Sequence, residues 1–215
     1  DFDAPKHDGI SFVLFDMTTP GITVKPIQLI SGYSPFCETF FDNVRVPKSN
    51  LVYELNKGWT VGKRLLQHER SMIGGIGGGQ KTTSIEEYAL QYVGKDANGK
   101  VDDPVLRNQI VSHRMSDKAF GLTMRRSVEE SATGTAPGAV SSMFKYYGSE
   151  QNKRKFELML EIMGQQGLGW EGEGFEDREL DITRQWLRSK ANSIEGGTSE
   201  VQLNIVAKRV LGLPD

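Results

Sequence analysis

A single cysteine, three scattered histidines and the lack of any long apolar run set the first limits on this chain of 215 residues. One thiol, Cys37, cannot close an internal disulfide, which fits a reducing compartment. His7, His68 and His113 have no ligand spacing, so no metal site is expected. The longest apolar stretches, such as Ser11 to Phe15, fall far short of the roughly 18 residues that a membrane span needs. A formal charge of −2, spread over mixed acidic and basic stretches, provides neither a nucleic-acid footprint nor a polybasic membrane anchor. No Ser-His-acid set can be assembled either.

With 37% hydrophobic and 25% charged residues, the composition is that of a folded globular protein. Up to about Asn56 the signals are those of β-structure. Ser11 to Asp16, Ile22 to Gln28 and Glu38 to Val46 are rich in β-branched and aromatic residues, separated by the turn chemistry of Thr19-Pro20-Gly21 and Ser31 to Pro35. From Gly58 the period becomes helical. Val61, Leu65 and Leu66 begin one apolar face; Val105, Ile110, Met115, Phe120, Leu122 and Met124 form another; Phe156, Leu158, Leu160 and Ile162 form a third. Pro104 suits a first helical turn after Asp102-Asp103, and residues 94–100 read as a loop between two helices. The expected fold is mostly α: a four-to-five-helix bundle over 57–215, preceded over 1–56 by the tail of a β-barrel or sandwich domain. The chain opens without Met on a strand pattern and is expected to be a fragment.

The stretch from Ile194 to Gly212, with Gly197-Thr198-Ser199 and Val201-Gln202, resembles the end of an acyl-CoA dehydrogenase. Phe41 to Pro47 is similar to that family's Phe-x-Asp-Val-x-Val-Pro stretch, which closes its β-domain, and the Thr19 to Ile22 turn matches as well. The resemblance covers the tail of the family's β-domain and all of its last, helical domain. It implies FAD as cofactor and an acyl-CoA substrate, with removal of an α-proton and passage of a β-hydride to flavin N5. It also implies electron transfer to an electron-transfer flavoprotein, a homo- or hetero-tetramer built as a dimer of dimers, and a cytoplasmic or mitochondrial-matrix setting. Because much of the flavin pocket lies in the family's earlier domains, the 215 residues alone are expected to be inactive.

In the family, a Tyr-Glu-Gly-Thr-Ser-x-Ile-Gln stretch carries the carboxylate that removes the α-proton. Here the register puts Gly196 at that Glu. One branch, resembling isovaleryl-CoA and long-chain dehydrogenases, carries its base on the first long helix of the last domain, just before an Arg. Glu69, in Gln67-His68-Glu69-Arg70, occupies that place and is the candidate base. Two departures that compensate each other chemically support the assignment. Glu195, one residue before the aligned position, is the rival. The resemblance further gives Gly196 N–H as a donor to the thioester carbonyl, Arg70 as organiser of the base, and Leu66 and Gln67 as neighbours of the pantetheine. Thr198, Glu200, Gly164, Gln165 and Lys95 fall at its flavin-contacting positions.

Two departures bear on function. The run from Gly74 to Gly79 lacks the Gly-Lys-Ser/Thr ending of a phosphate-cradling loop, and it reads as close helix packing or as space for a bulky acyl group. The family's Arg-x-Thr-Phe-Gly stretch is Lys95 to Gly99 here, keeping a positive charge but losing Thr and Phe. That loss leaves open a non-catalytic subunit of a mixed assembly. A flavin monooxygenase on the same fold is a further alternative, one with no need of an α-proton base.

Overall fold

The computed structural model describes residues 1–73, 84–134 and 140–214, with the side chains of 67–73 outside the description. The described chain is mostly helical and divides into two compact units, Asp1–Gln28 with Ser34–Gly79, and Leu29–Tyr33 with Gln80–Asp215.

In the first unit, β1 (Phe12–Val13) pairs antiparallel with β4 (Leu51–Val52), and β2 (Ile22–Ile27) with β3 (Phe36–Phe41). Gly21 adopts φ +92° after Pro20, as the turn into β2 requires. The strands are shorter than the sequence pattern suggests. β3 ends at Phe41 because Asn43 is left-handed at φ +48°, its amide donating to Asp42 at 2.9 Å. β1 stops at Val13; beyond it Asp16 accepts from both the N–H and the hydroxyl of Thr18, making a side-chain turn that takes the place of a ladder. Helix α1 (Gly58–Ile73) starts directly against β1, where Gly58 N–H donates to Ile10 carbonyl at 2.7 Å. A Cβ at Gly58 would run into the backbone of Ser11 and Phe12, so glycine is what permits this approach.

The second unit holds α2 (Ile85–Tyr92), α3 (Pro104–Ala132), α4 (Val140–Met163), α5 (Asp177–Ser189) and α6 (Ser199–Arg209). Ser84 and Glu87 close a reciprocal capping box at the start of α2. Asp103 caps α3, accepting from Val105 and Leu106 N–H at 2.8 and 2.9 Å. One core joins Ile85, Tyr88 and Ala89 of α2, Leu106 and Ile110 of α3, Leu158, Met159, Ile162 and Met163 of α4, and Ile182 of α5. Tyr92 hydroxyl donates to Glu179, a buried carboxylate that also accepts from Glu176 N–H at 2.8 Å.

The second expected apolar face is only partly buried. Ile110 is in the core, whereas Val105, Met115 and Leu122 are exposed and Leu106 takes the inward place. Length explains Met115 and Leu122. Helix α3 has 29 residues and α2 has 8, roughly 44 Å against 12 Å, so the far half of α3 extends beyond α2. There Phe120 packs on Phe144 and Tyr147 of α4 instead, at ring centroids of 5.9 and 5.2 Å.

Candidate functional site

The site is built from the second unit's last loop. α5 runs into a tight turn at Lys190–Ser193, the chain crosses Ile194 to Gly197, and α6 begins under Thr198. Gly196 and Gly197 are consecutive left-handed residues at φ +63° and +94°, a reversal that a β-carbon would strain at both positions. Thr198 caps α6, its hydroxyl oxygen accepting from Val201 N–H at 3.3 Å. Gln202, buried on α6, donates to Gly196 carbonyl at 3.1 Å. Gly196 is exposed, and among the described residues its N–H donates to no acceptor.

Polar side chains of α4 and α5 hold this loop. Lys145 Nζ donates to Asn192 carbonyl and Asn152 Nδ2 to Asn192 Oδ1, both at 2.8 Å. Asn192 Nδ2 donates onward to Glu195 Oε1 at 2.7 Å. Arg188 holds both oxygens of Glu195, at 2.8 and 3.3 Å. Burial pushes the Glu195 carboxyl up, but hydrogen bonds from Arg188 and Asn192 and the charges of Arg188 and Lys145 outweigh it and leave the group below the usual glutamate value. Burial also pushes Lys145 below the usual lysine value, against the pull of Glu195, Glu150 and Glu200. Glu150 takes Lys153 on both oxygens, at 3.1 and 3.0 Å, and accepts from Ser193 at 3.0 Å and Ser199 at 3.4 Å.

The remaining sequence-derived residues lie on separate elements. Glu200, exposed in the first turn of α6, is held below the usual carboxyl value by its own backbone N–H and by Thr198 hydroxyl. Gly164 is left-handed at φ +56°, with open space where a side chain would be, and exposed Gln165 follows it. Lys95 bridges to Val101 across a turn organised by Asp96, whose carboxylate accepts from Asn98 and Lys100 N–H at 2.8 and 2.9 Å. Arg107 braces that turn, donating to Val101 carbonyl at 3.0 Å. Leu66 is exposed on α1. Gln67, Glu69 and Arg70 lie on the last turns of α1; their side chains are outside the described residues, as are Gly74 to Gly79 entirely.

The sequence reading missed the supports. Arg188, Asn192, Lys145, Glu150 and Lys153 carry the loop's hydrogen bonds, yet Glu150 and Ser199 stand 49 positions apart and no local pattern links them. Among the described residues no group of three or more His, Cys, Asp or Glu could hold a metal ion. Among the same residues no helix is long and apolar enough to cross a membrane.

Comparison with known proteins adds identity to this geometry. An acyl-CoA dehydrogenase FadE34 of Mycobacterium tuberculosis is 34% identical over all of this chain, which spans 28% of that protein. A solved structure described as the Tcur3481-Tcur3483 steroid ACAD superposes with a TM-score of 0.83 at 27% identity, over 100% of this chain and 54% of its own. The ChsE4-ChsE5 complex from Mycobacterium tuberculosis gives a TM-score of 0.74 at 25% identity, over 98% of this chain and 55% of its own. The chain thus spans about half the length of these structures. The model for the acyl-CoA dehydrogenase C-terminal domain matches residues 56–211, and the chain belongs to the acyl-CoA dehydrogenase family.

Proposed function

We propose that the full-length protein carrying this chain oxidises an acyl-CoA thioester to the trans-2-enoyl-CoA with FAD. The family match over 56–211 carries the reading. The residues suit the cofactor: Lys95 offers an ammonium, Gln165 an exposed amide, Gly164 open space beside the backbone, and Thr198 and Glu200 a polar helix start. FAD, when bound, supplies the acceptor for the β-hydrogen. Gly196 N–H donates to the thioester carbonyl, where negative charge grows as the α-proton leaves. Glu69 takes that proton, Arg70 orients Glu69, and Leu66 and Gln67 border the pantetheine. Support for Glu69 over Glu195 comes from the Arg188 clasp: a carboxylate held on both oxygens and acidified by that contact is a poor proton acceptor.

The substrate is a bulky, ring-bearing acyl-CoA. This extends to the chain what the Tcur3481-Tcur3483 description says of that protein, and it agrees with a run of small residues from Gly74 to Gly79. The electron acceptor is an electron-transfer flavoprotein, and the enzyme works as a homo- or hetero-tetramer. An apolar groove of about 640 Å³ along α3, lined in part by Val111, Met115 and Leu122, favours an assembled state. A second reading, a non-catalytic subunit of a mixed assembly, is favoured by the closed turn that Asp96 makes of residues 96–100, together with the two-protein descriptions of the relatives. Anaerobic titration of the full-length protein with straight-chain and steroid-bearing acyl-CoAs separates the two. Bleaching of a stoichiometric flavin supports the enzyme; a protein purified without flavin supports the subunit.

A further inference from the structure

The Glu150 side chain reaches both stems of the Gly196 loop. Ser193 lies three residues before Gly196 and Ser199 three residues after it, and both hydroxyls donate to Glu150 Oε1, at 3.0 and 3.4 Å. Lys153, one helical turn along α4, neutralises the carboxylate and donates to Ser193 Oγ at 2.6 Å, closing a triangle of Lys153, Glu150 and Ser193. Ser199 is buried at the first position of α6, directly after the Thr198 cap. The loop's two ends are therefore tied to one point on one turn of α4. On the far side of the loop, Gln202 fixes the Gly196 carbonyl at 3.1 Å, in the peptide that directly follows the one carrying Gly196 N–H.

We propose that Glu150, held by Lys153, is a positioning residue that sets the pitch of the 194–198 loop and so aims Gly196 N–H at the thioester carbonyl. The inference rests on the reaction proposed above. The physical need is plain: a hydrogen-bond donor to developing charge works only when pre-placed, and a misplacement of about 1 Å costs on the order of 100-fold. Glu150 touches neither substrate nor flavin in this role. Substituting it leaves two hydroxyls without their shared acceptor and Lys153 without its counter-ion beneath the loop.

The test uses the full-length protein, with Glu150→Ala, the isosteric Glu150→Gln and, on the other stem, Ser199→Ala. Three readouts are taken: the rate of flavin reduction at saturating acyl-CoA, the infrared C=O stretch of a bound thioester labelled with carbon-13, and hydrogen exchange across residues 192–202. The expected result for Glu150→Ala is a fall of about 10–100-fold in reduction rate with acyl-CoA affinity within about threefold. The C=O stretch should return toward its free-solution position and exchange in the loop should quicken. Glu150→Gln and Ser199→Ala should give smaller changes in the same directions. An unchanged stretch in all variants that fold overturns the proposal even if the rate falls, because the loss is then not one of carbonyl polarisation. Exchange unchanged across 192–202 overturns it whatever the activity. A parent protein that reduces no flavin with any acyl-CoA defeats the proposed reaction, and exchange then decides the loop-setting role by itself.

Discussion

Arg188 grips Glu195 through both carboxylate oxygens, and Asn192 adds a third hydrogen bond at 2.7 Å, so the acidic residue next to Gly196 is tied into the scaffold of its own loop. If the full-length protein reduces its flavin as proposed, Glu195→Gln is expected to slow that reduction by less than about tenfold, within roughly 1.4 kcal/mol. The accompanying cost should appear as a lower melting temperature, measured by calorimetry beside the kinetics.

Acid should loosen this loop. Glu195 and Glu150 both lie below the usual glutamate value of 4.5 in the folded chain, against burial that raises each of them. For Glu150 the lowering comes from hydrogen bonds of Lys153 and Ser193 and from the charge of Lys153. Carboxyls depressed on folding contribute stability that is complete above the unfolded value and is lost as pH falls through the folded one. Urea midpoints measured from pH 7 down to pH 3 should thus decline below about pH 4.5, and the decline should be shallower in Glu195→Gln. Parallel curves for parent and variant would contradict the assignment.

Gly32 closes a small clasp within the second unit. It sits at φ +80° beneath Arg184, which donates to the carbonyls of Ser31 and Trp170 at 3.0 Å each and stacks on the Trp170 ring at 3.8 Å. A β-carbon there would strike the Arg184 guanidinium and come within 3.2 Å of Trp170. Gly32→Ala should destabilise the protein by about 1–3 kcal/mol, read from urea denaturation.

The Asp103 cap offers a milder test. Asp103→Ala removes the carboxylate that accepts from two N–H groups at the head of α3 and should cost about 0.5–2 kcal/mol, with Asp103→Asn recovering most of it.

Much of this fold was legible in the sequence because its signals are local. The Asp103-Pro104 start, the Thr19-Pro20-Gly21 turn and the glycine pair at 196–197 each encode a backbone requirement within a few residues. The strands end short of their sequence pattern where a side chain competes with the ladder, as Asp16 does for Thr18, or where Asn43 turns left-handed. On α3, neighbouring Val105 and Leu106 differ by about 100° in direction, and only packing on α2 and α4 decides that Leu106 goes inward. The Glu150 clasp was not legible at all, since its partners Ser193 and Ser199 come from a distant part of the chain.

Whether Glu69 is the α-proton base is decided by the reductive half-reaction of Glu69→Gln in the full-length protein, followed by stopped flow with bound FAD verified. General-base removal should slow flavin reduction by about 10²–10⁴-fold while fold and flavin content stay at parent levels. Reduction at the parent rate would contradict the Glu69 assignment, as would abolition of reduction by Glu195→Gln with FAD retained.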